Sequence, residues 1–136
     1  MIIGLGIDLI EIERIRESFD RHGERFRDRV FTPEEAAYCD GQATPALHYA
    51  ARFAAKEAFS KALGLGIANG ISWPEISVAN DEWKAPRLIL TGRAAQLAAE
   101  RGVSATHVSL THTDTMASAV VVLEGERPEE SPLPPA

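Results

Sequence analysis

The chain opens on a run of apolar and β-branched residues, Ile2 to Ile10, that predicts a strand, and then switches to helical spacing. Ile12, Ile15 and Phe19 mark the apolar side of a helix over Glu11–His22, with Gly23 as its stop. Thr32-Pro33-Glu34-Glu35 is a helix start: a capping threonine, proline at the first helical position, and acids in the first turn. That helix runs to about Cys39, and Asp40–Thr44 is a loop. Pro45 opens a long helix that ends at Leu63-Gly64. Leu65–Ser72 holds Gly66 and Gly70 and reads as a loop. Glu75–Ala79 and Arg87–Leu90 predict a hairpin around the turn Asn80-Asp81. Gly92–Arg101 is an alanine-rich helix stopped at Gly102. Val108–Thr111 and Met116–Leu123 are two further strands joined through His112-Thr113-Asp114. The order predicts an α+β fold: one domain over 1–125, with a mostly antiparallel sheet and a long central helix. The acidic, proline-rich stretch 126–136 has no apolar period and is expected to be a disordered tail.

Composition narrows the functional class. The 136 residues are 45% hydrophobic and 25% charged, as in an ordinary globular domain. The single cysteine, Cys39, excludes an internal disulfide and is a semi-buried bystander. No basic leader precedes Asp8, and no apolar run approaches the ~20 residues of a membrane span, so a cytoplasmic protein is expected, with no membrane partner. The formal charge of −6 argues against a general nucleic-acid binder. The charge is uneven, however. Six of the fourteen Lys and Arg residues lie between Arg14 and Arg29.

The long helix carries polar side chains that a packing helix does not need. Glu57 and Lys61 are four residues apart and share a face. With Phe53 and Ser60 they cover about 100° of the helical wheel, beside the apolar stripe Leu47, Ala51, Ala54, Ala58, Ala62. A carboxylate, a hydroxyl and an ammonium presented together suit a metal-bound phosphate ligand. The same spacing also describes an i,i+4 ion pair on a solvated face, worth only about 0.2–0.5 kcal/mol.

Asp8 stands in an otherwise apolar strand, either to cap the following helix or to meet a cation. Magnesium takes one or two protein carboxylates and fills its other positions with waters and substrate phosphates, so Asp8 and Glu57 are the pair to test. His112 is ringed by hydroxyls, which suits phosphate contact as well as a turn. His48 and His107 read as surface or capping histidines, and the four histidines have no zinc spacing. Gly4 and Gly6 spell G-x-G, but no third glycine opens a helix, so a dinucleotide fingerprint is not expected. Arg14, Arg21 and Arg25 fall within about 40° on an ideal wheel, although Gly23 interrupts before Arg25. They form either a docking surface or a solvated face laced with ion pairs.

Taken together, four segments resemble the holo-[acyl-carrier-protein] synthases, the small bacterial 4′-phosphopantetheinyl transferases. They are Gly6–Ile12, Arg52–Gly64, Trp73–Val78 with Asn80-Asp81, and Val108–Thr113. The resemblance implies transfer of phosphopantetheine from coenzyme A to a serine of apo acyl carrier protein, releasing adenosine 3′,5′-bisphosphate in support of fatty acid biosynthesis. It implies magnesium on Asp8 and Glu57, catalytic roles for Asp8, Glu57 and Lys61, and coenzyme contacts from Arg52, Lys61, His112 and Thr113. It also implies a homotrimer and carrier-protein docking, for which Arg14, Arg21 and Arg25 are the candidates. The chain departs from the family pattern at Lys84-Ala85-Pro86, where Gly-Lys-Pro is usual, and in its tail. Two competing readings remain: a magnesium-dependent phosphohydrolase, which needs no docking face, and a coenzyme A or carrier-protein binding module, which needs no metal carboxylates.

Overall fold

A computed structural model describes residues 1–65 and 70–128; the glycine of the expected loop at Gly66 and residues 129–136 of the expected tail lie outside the described residues. In chain order the elements are β1 (Ile2–Glu11), α1 (Ile12–His22), α2 (Glu24–Val30), α3 (Pro33–Asp40), α4 (Pro45–Leu63), a 3-10 turn at Trp73–Glu75, β2 (Ile76–Asn80), β3 (Pro86–Leu90), α5 (Gly92–Glu100), β4 (Val103–His112) and β5 (Met116–Gly125). All strand pairs are antiparallel, in two sheets: β1-β5-β4 and β2-β3. None of the described helices is long and apolar enough to cross a membrane.

Two elements depart from the sequence pattern. Helix α2 is absent from the expected order, because its arginines leave only Phe26 and Val30 as apolar markers. Gly23, at φ 53, separates it from α1. Its fold is secured by aromatic contact: Phe26 packs edge-on against Phe19 and Phe31, with ring centroids 5.1 and 5.9 Å apart. Strand β4 begins five residues before Val108. It pairs with β5 from Val103 onward, yet Ser104, Ala105 and His107 face solvent, so no apolar alternation marks the extension.

The period-2 alternation of β1 divides its residues between two environments. Gly4, Gly6, Asp8 and Ile10 face α4, and on β5 the buried Ala117, Ala119, Val121 and Leu123 continue that surface. Helix α4 lies on it with the small buried residues Ala51, Ala54, Ala55, Ala58 and Ala62. A Cβ on Gly6 would overlap the Ala58 carbonyl oxygen, and one on Gly4 the Ala62 carbonyl oxygen. The G-x-G pair is therefore a close helix–strand contact. On the opposite face Leu5, Ile7 and Leu9 stand 65%, 64% and 63% exposed.

Across the molecule a buried ion pair ties α3, α4 and β2 together. Lys56 on α4 is wholly buried, and its Nζ donates to Glu35 Oε1 at 2.7 Å, to the Ile76 carbonyl at 2.5 Å and to the Trp73 carbonyl at 3.3 Å. Glu35 Oε2 accepts from Val78 N at 3.1 Å, and Oε1 closes the capping box with Thr32 N at 3.1 Å. Burial pushes the Lys56 pKa down, against the pull of Glu35. Cys39 is fully buried rather than semi-buried; burial pushes its thiol up to about 12, which makes it unreactive.

The contact at Gly6 predicts a large effect from one methyl group. Gly6→Ala should lower stability by about 3 kcal/mol, the upper range for overpacking, because the obstacle is backbone and α4 must move. Gly41→Ala, where the added Cβ would sit 3.5 Å from its nearest neighbours, should change stability by less than about 0.5 kcal/mol. Denaturant unfolding midpoints test both; equal effects would remove the close-contact argument.

Candidate active site

The inward side of β1 turns polar at Asp8, and α4 answers with Lys61. Its Nζ donates to Asp8 Oδ1 at 2.9 Å and to the Ile7 carbonyl at 3.1 Å. Asp8 is 16% exposed and Lys61 54%, so the pair sits at the edge of the helix–sheet contact, open to ligand. Ser118 Oγ donates to the Asp8 carbonyl at 2.8 Å, which holds the strand in place beneath the carboxylate. Asp8 does not cap α1, whose N-cap has no side-chain hydrogen bond.

Glu57 is half-buried one turn before Lys61. Its carboxyl pKa is raised, first by burial and then by the negative charge of Asp8, with Lys61 opposing. Asp8, Glu57 and Lys61 therefore form one electrostatic group. Two carboxylates that press on each other, one of them part-desolvated, fit a divalent cation. Among the described residues no group of three or more His, Cys, Asp and Glu could hold a metal by protein ligands alone. Two carboxylates leave positions for water and phosphate oxygens, as hard divalent cations require. Ser60 does not join them as expected: it is buried, and its hydroxyl donates to the Lys56 carbonyl at 3.3 Å.

A second polar region lies around Arg52, which is only 3% exposed. Its guanidinium lies over the Tyr38 ring, 4.2 Å from the centroid, and its Nε has no hydrogen-bond partner. The His48 ring meets Tyr38 edge-on at 5.8 Å. The His48 pKa is lowered by burial, then by Arg52 and His112, so these three cations or potential cations share one neighbourhood. Arg52 lines a cleft of about 580 Å³ that contains none of Asp8, Glu57 and Lys61. The structure thus divides the expected phosphate contacts between two places. His112 ends β4, exposed, opposite Ala117. Thr113 builds the following turn: its Oγ1 accepts from Met116 N at 3.0 Å and from Thr115 N at 3.3 Å.

Arg14 and Arg21 line a second cleft, of about 320 Å³, with Ile10, Phe26 and Phe53. Ile10 follows Asp8 on the same face of β1, and Phe53 precedes Glu57 by one turn of α4, so this cleft adjoins the carboxylates. Arg25 belongs to α2, not α1, and lines a neighbouring hollow with His22, Phe26 and Arg29. Tyr38 and Lys84 join the Arg52 cleft without a sequence motif of their own, apart from the departure of Lys84 from a turn pattern.

An α+β domain that sets two carboxylates and a lysine at the edge of a helix–strand contact, beside clefts lined by arginines, suits the phosphoryl-transfer class of protein. The family model described as the 4′-phosphopantetheinyl transferase superfamily matches residues 4–121, and the chain belongs to that superfamily. It is similar to the holo-[acyl-carrier-protein] synthase of Syntrophus aciditrophicus, 47% identical over 125 residues, covering 92% of this chain and 98% of the relative. The fold is similar to the holo-[acyl-carrier-protein] synthase of Neisseria meningitidis, with a TM-score of 0.84 and 33% identity over 91% of this chain and 99% of that one. The Helicobacter pylori enzyme, solved in complex with coenzyme A, gives a TM-score of 0.78 and 30% identity over 88% of this chain and 99% of that one.

The causes of the Glu57 shift predict how it responds to its neighbours. Asp8→Asn should lower the Glu57 pKa and Lys61→Ala should raise it, as read by carboxyl carbon NMR titration. Because the folded-state pKa is raised, the Glu57 contribution to stability is present below the unfolded value and lost as pH rises through the folded one. A Glu57 titration indifferent to both substitutions would separate it from the pair.

Proposed function

We propose that this chain is a magnesium-dependent, homotrimeric holo-[acyl-carrier-protein] synthase of the cytoplasm. It transfers the 4′-phosphopantetheine group of coenzyme A to a serine of apo acyl carrier protein, releasing adenosine 3′,5′-bisphosphate and supplying holo carrier protein to fatty acid biosynthesis. The observation that carries the reading is the convergence of Asp8, Glu57 and Lys61 at the edge of the cleft lined by Arg14 and Arg21.

In the reaction the serine oxygen forms a bond to the pantetheine-side phosphorus, and the bond from that phosphorus to the bridging pyrophosphate oxygen breaks. Asp8 and Glu57 would hold magnesium, which when bound supplies charge neutralisation at the pyrophosphate. The serine proton passes to a water held beside Glu57. Lys61 is exposed enough to turn from Asp8 toward a phosphate oxygen, where it acts as a point charge. Arg52 offers a planar fork to the adenosine 3′-phosphate, and His112 and Thr113 contact the pyrophosphate. The carrier protein, acidic by class, docks on Arg14 and Arg21, with Arg25 at the margin. Such rim charges act largely on association rate.

The trimer reading is supported by the outer face of the β1-β5-β4 sheet. Leu5 and Ile7 stand beside Val122 and Val120 across the β1–β5 ladder, and Leu9 extends the row beside Ser118. An exposed apolar stripe of this kind suits contact with another subunit. On this reading neighbouring subunits together complete each active site.

Incubation with coenzyme A, magnesium and apo carrier protein should add one phosphopantetheine to the carrier by mass. Asp8→Asn and Glu57→Gln should each lower turnover by about 10²-fold or more with the fold intact, as expected when a charge-stabilising group is removed. Arg14→Glu and Arg21→Glu should raise the KM for carrier protein alone. No mass gain, or pyrophosphate cleavage without carrier, overturns the reading. Separately, Ile7→Glu should convert a trimer to monomers by sedimentation, since the glutamate would be buried without a partner; a monomeric wild type refutes the trimer.

A further inference from the structure

Trp73 and Trp83 are the two tryptophans of the chain, and their surroundings are opposite. Trp83 stands 81% exposed in the turn between β2 and β3, whereas Trp73 is half-buried in the 3-10 turn that leads into β2. That turn is held from several sides. The Trp73 carbonyl accepts from Lys56 Nζ of α4 at 3.3 Å. Glu75 Oε1 accepts from Ser72 N at 2.9 Å and from Ser72 Oγ at 2.7 Å, and its Oε2 accepts from Ala94 N of α5 at 3.1 Å. Helix α2 packs against the same turn, and Pro74 fixes one more backbone angle. The backbone that carries the Trp73 indole is therefore a firm base.

From that base the indole stacks on Phe53, with ring centroids 5.0 Å apart and planes inclined by 24°. Phe19, Phe26, Phe31 and Tyr49 pack among themselves, and the one aromatic partner of Phe53 among the described residues is Trp73. Phe53 also lines the cleft of about 320 Å³ with Arg14 and Arg21, and it precedes Glu57 by one turn of α4. Its ring stands where the arginine surface meets the carboxylates. Phe53 is only half-buried, so cleft packing alone leaves its ring free to turn, and the indole against one face favours a single orientation. Trp73 does not line the cleft, so whatever it does there it does through Phe53.

We propose that Trp73 is a positioning residue for the transfer reaction: by stacking on Phe53 it fixes the aromatic wall, between Arg14 and Glu57, against which the serine-bearing segment of the carrier protein is seated. This role rests on the carrier-modifying activity proposed above and adds to it a residue outside the cleft. With the wall displaced, the arginines still attract the carrier and the carboxylates keep their places. The serine oxygen then approaches its phosphorus off line, and small misplacements of reacting atoms lower the rate steeply.

The test uses the full chain with coenzyme A, magnesium and a tryptophan-free apo carrier protein. Trp73→Leu should lower kcat/KM for the carrier about tenfold, short of the roughly 10²-fold that a misplacement of an ångström can cost, and leave the KM for coenzyme A within about twofold. Trp73→Phe, which keeps a flat ring against Phe53, should restore most of the rate; a residue that only fills space would be replaced as well by leucine. A second measurement needs no turnover. In Trp83→Phe the Trp73 indole is the one fluorophore of its kind, and its emission should shift when apo carrier protein is added and stay constant with coenzyme A alone. Equal rates for the leucine and phenylalanine variants, a KM for coenzyme A that rises as much as carrier kcat/KM falls, or emission indifferent to the carrier overturns the role of Trp73. Where wild type modifies the carrier and Trp73→Leu matches it, the positioning role alone is wrong. Where wild type modifies no carrier, the underlying activity is wrong and the positioning role falls with it.

Discussion

Helix α4 can lie on strand β1 at this distance only because Gly4 and Gly6 have no side chains and Ala58 and Ala62 have almost none. Everything polar at the candidate active site depends on that contact. Asp8 has the same strand parity as the two glycines, so it faces the helix they admit. Were α4 farther off by the width of a methyl group, the 2.9 Å bond from Lys61 to Asp8 would open. The charge of Asp8 would then press less on Glu57. Small residues thus do here what a rigid scaffold must do for catalysis, holding reactive groups within a fraction of an ångström.

The Glu35–Lys56 pair plays the matching role on the other side of α4. It is costly to bury two charges, and such pairs are weak evidence for stability as such. Here each charge is almost fully satisfied. The lysine meets a carboxylate and two carbonyls, and the carboxylate meets the lysine and two backbone amides. What this network fixes is register: α3, the 3-10 turn and β2 can meet α4 in one arrangement. Tyr38 lies on α3, Arg52 on α4 and Lys84 on the hairpin that β2 begins. The cleft they line is therefore shaped by a bond none of them makes.

Charge is partitioned to match. An overall charge of −6 coexists with basic side chains on α1 and α2. Acidic and basic surfaces on one small domain let it repel most anions at long range and accept one at a short-range, oriented patch. The apolar outer face of β1 completes the division: the grooves lie on the helix side and an exposed apolar stripe on the sheet side.

The helices and strands were largely legible in the sequence, because each rests on local rules: the Thr32–Glu35 capping box, the stop at Gly64, the alternation along β5. Local rules also picked out Asp8, Glu57 and Lys61 as chemistry-bearing residues, with the family resemblance joining segments far apart in the chain. Helix α2 and the start of β4 escaped because their stability comes from Phe19, Phe31 and the β5 ladder, not from their own patterns. Period-2 alternation marks two faces of β1 but cannot say which is buried; only the arrival of α4 made one a core and left Leu5, Ile7 and Leu9 outside. Lys56 is wholly buried without a sequence signal, since the Glu35 carboxylate that satisfies it lies 21 residues away and comes into range only on folding. Local chemistry determines which elements form and which side chains can react. Tertiary packing decides which of them meet, because burial and charge pairing depend on atoms distant in sequence.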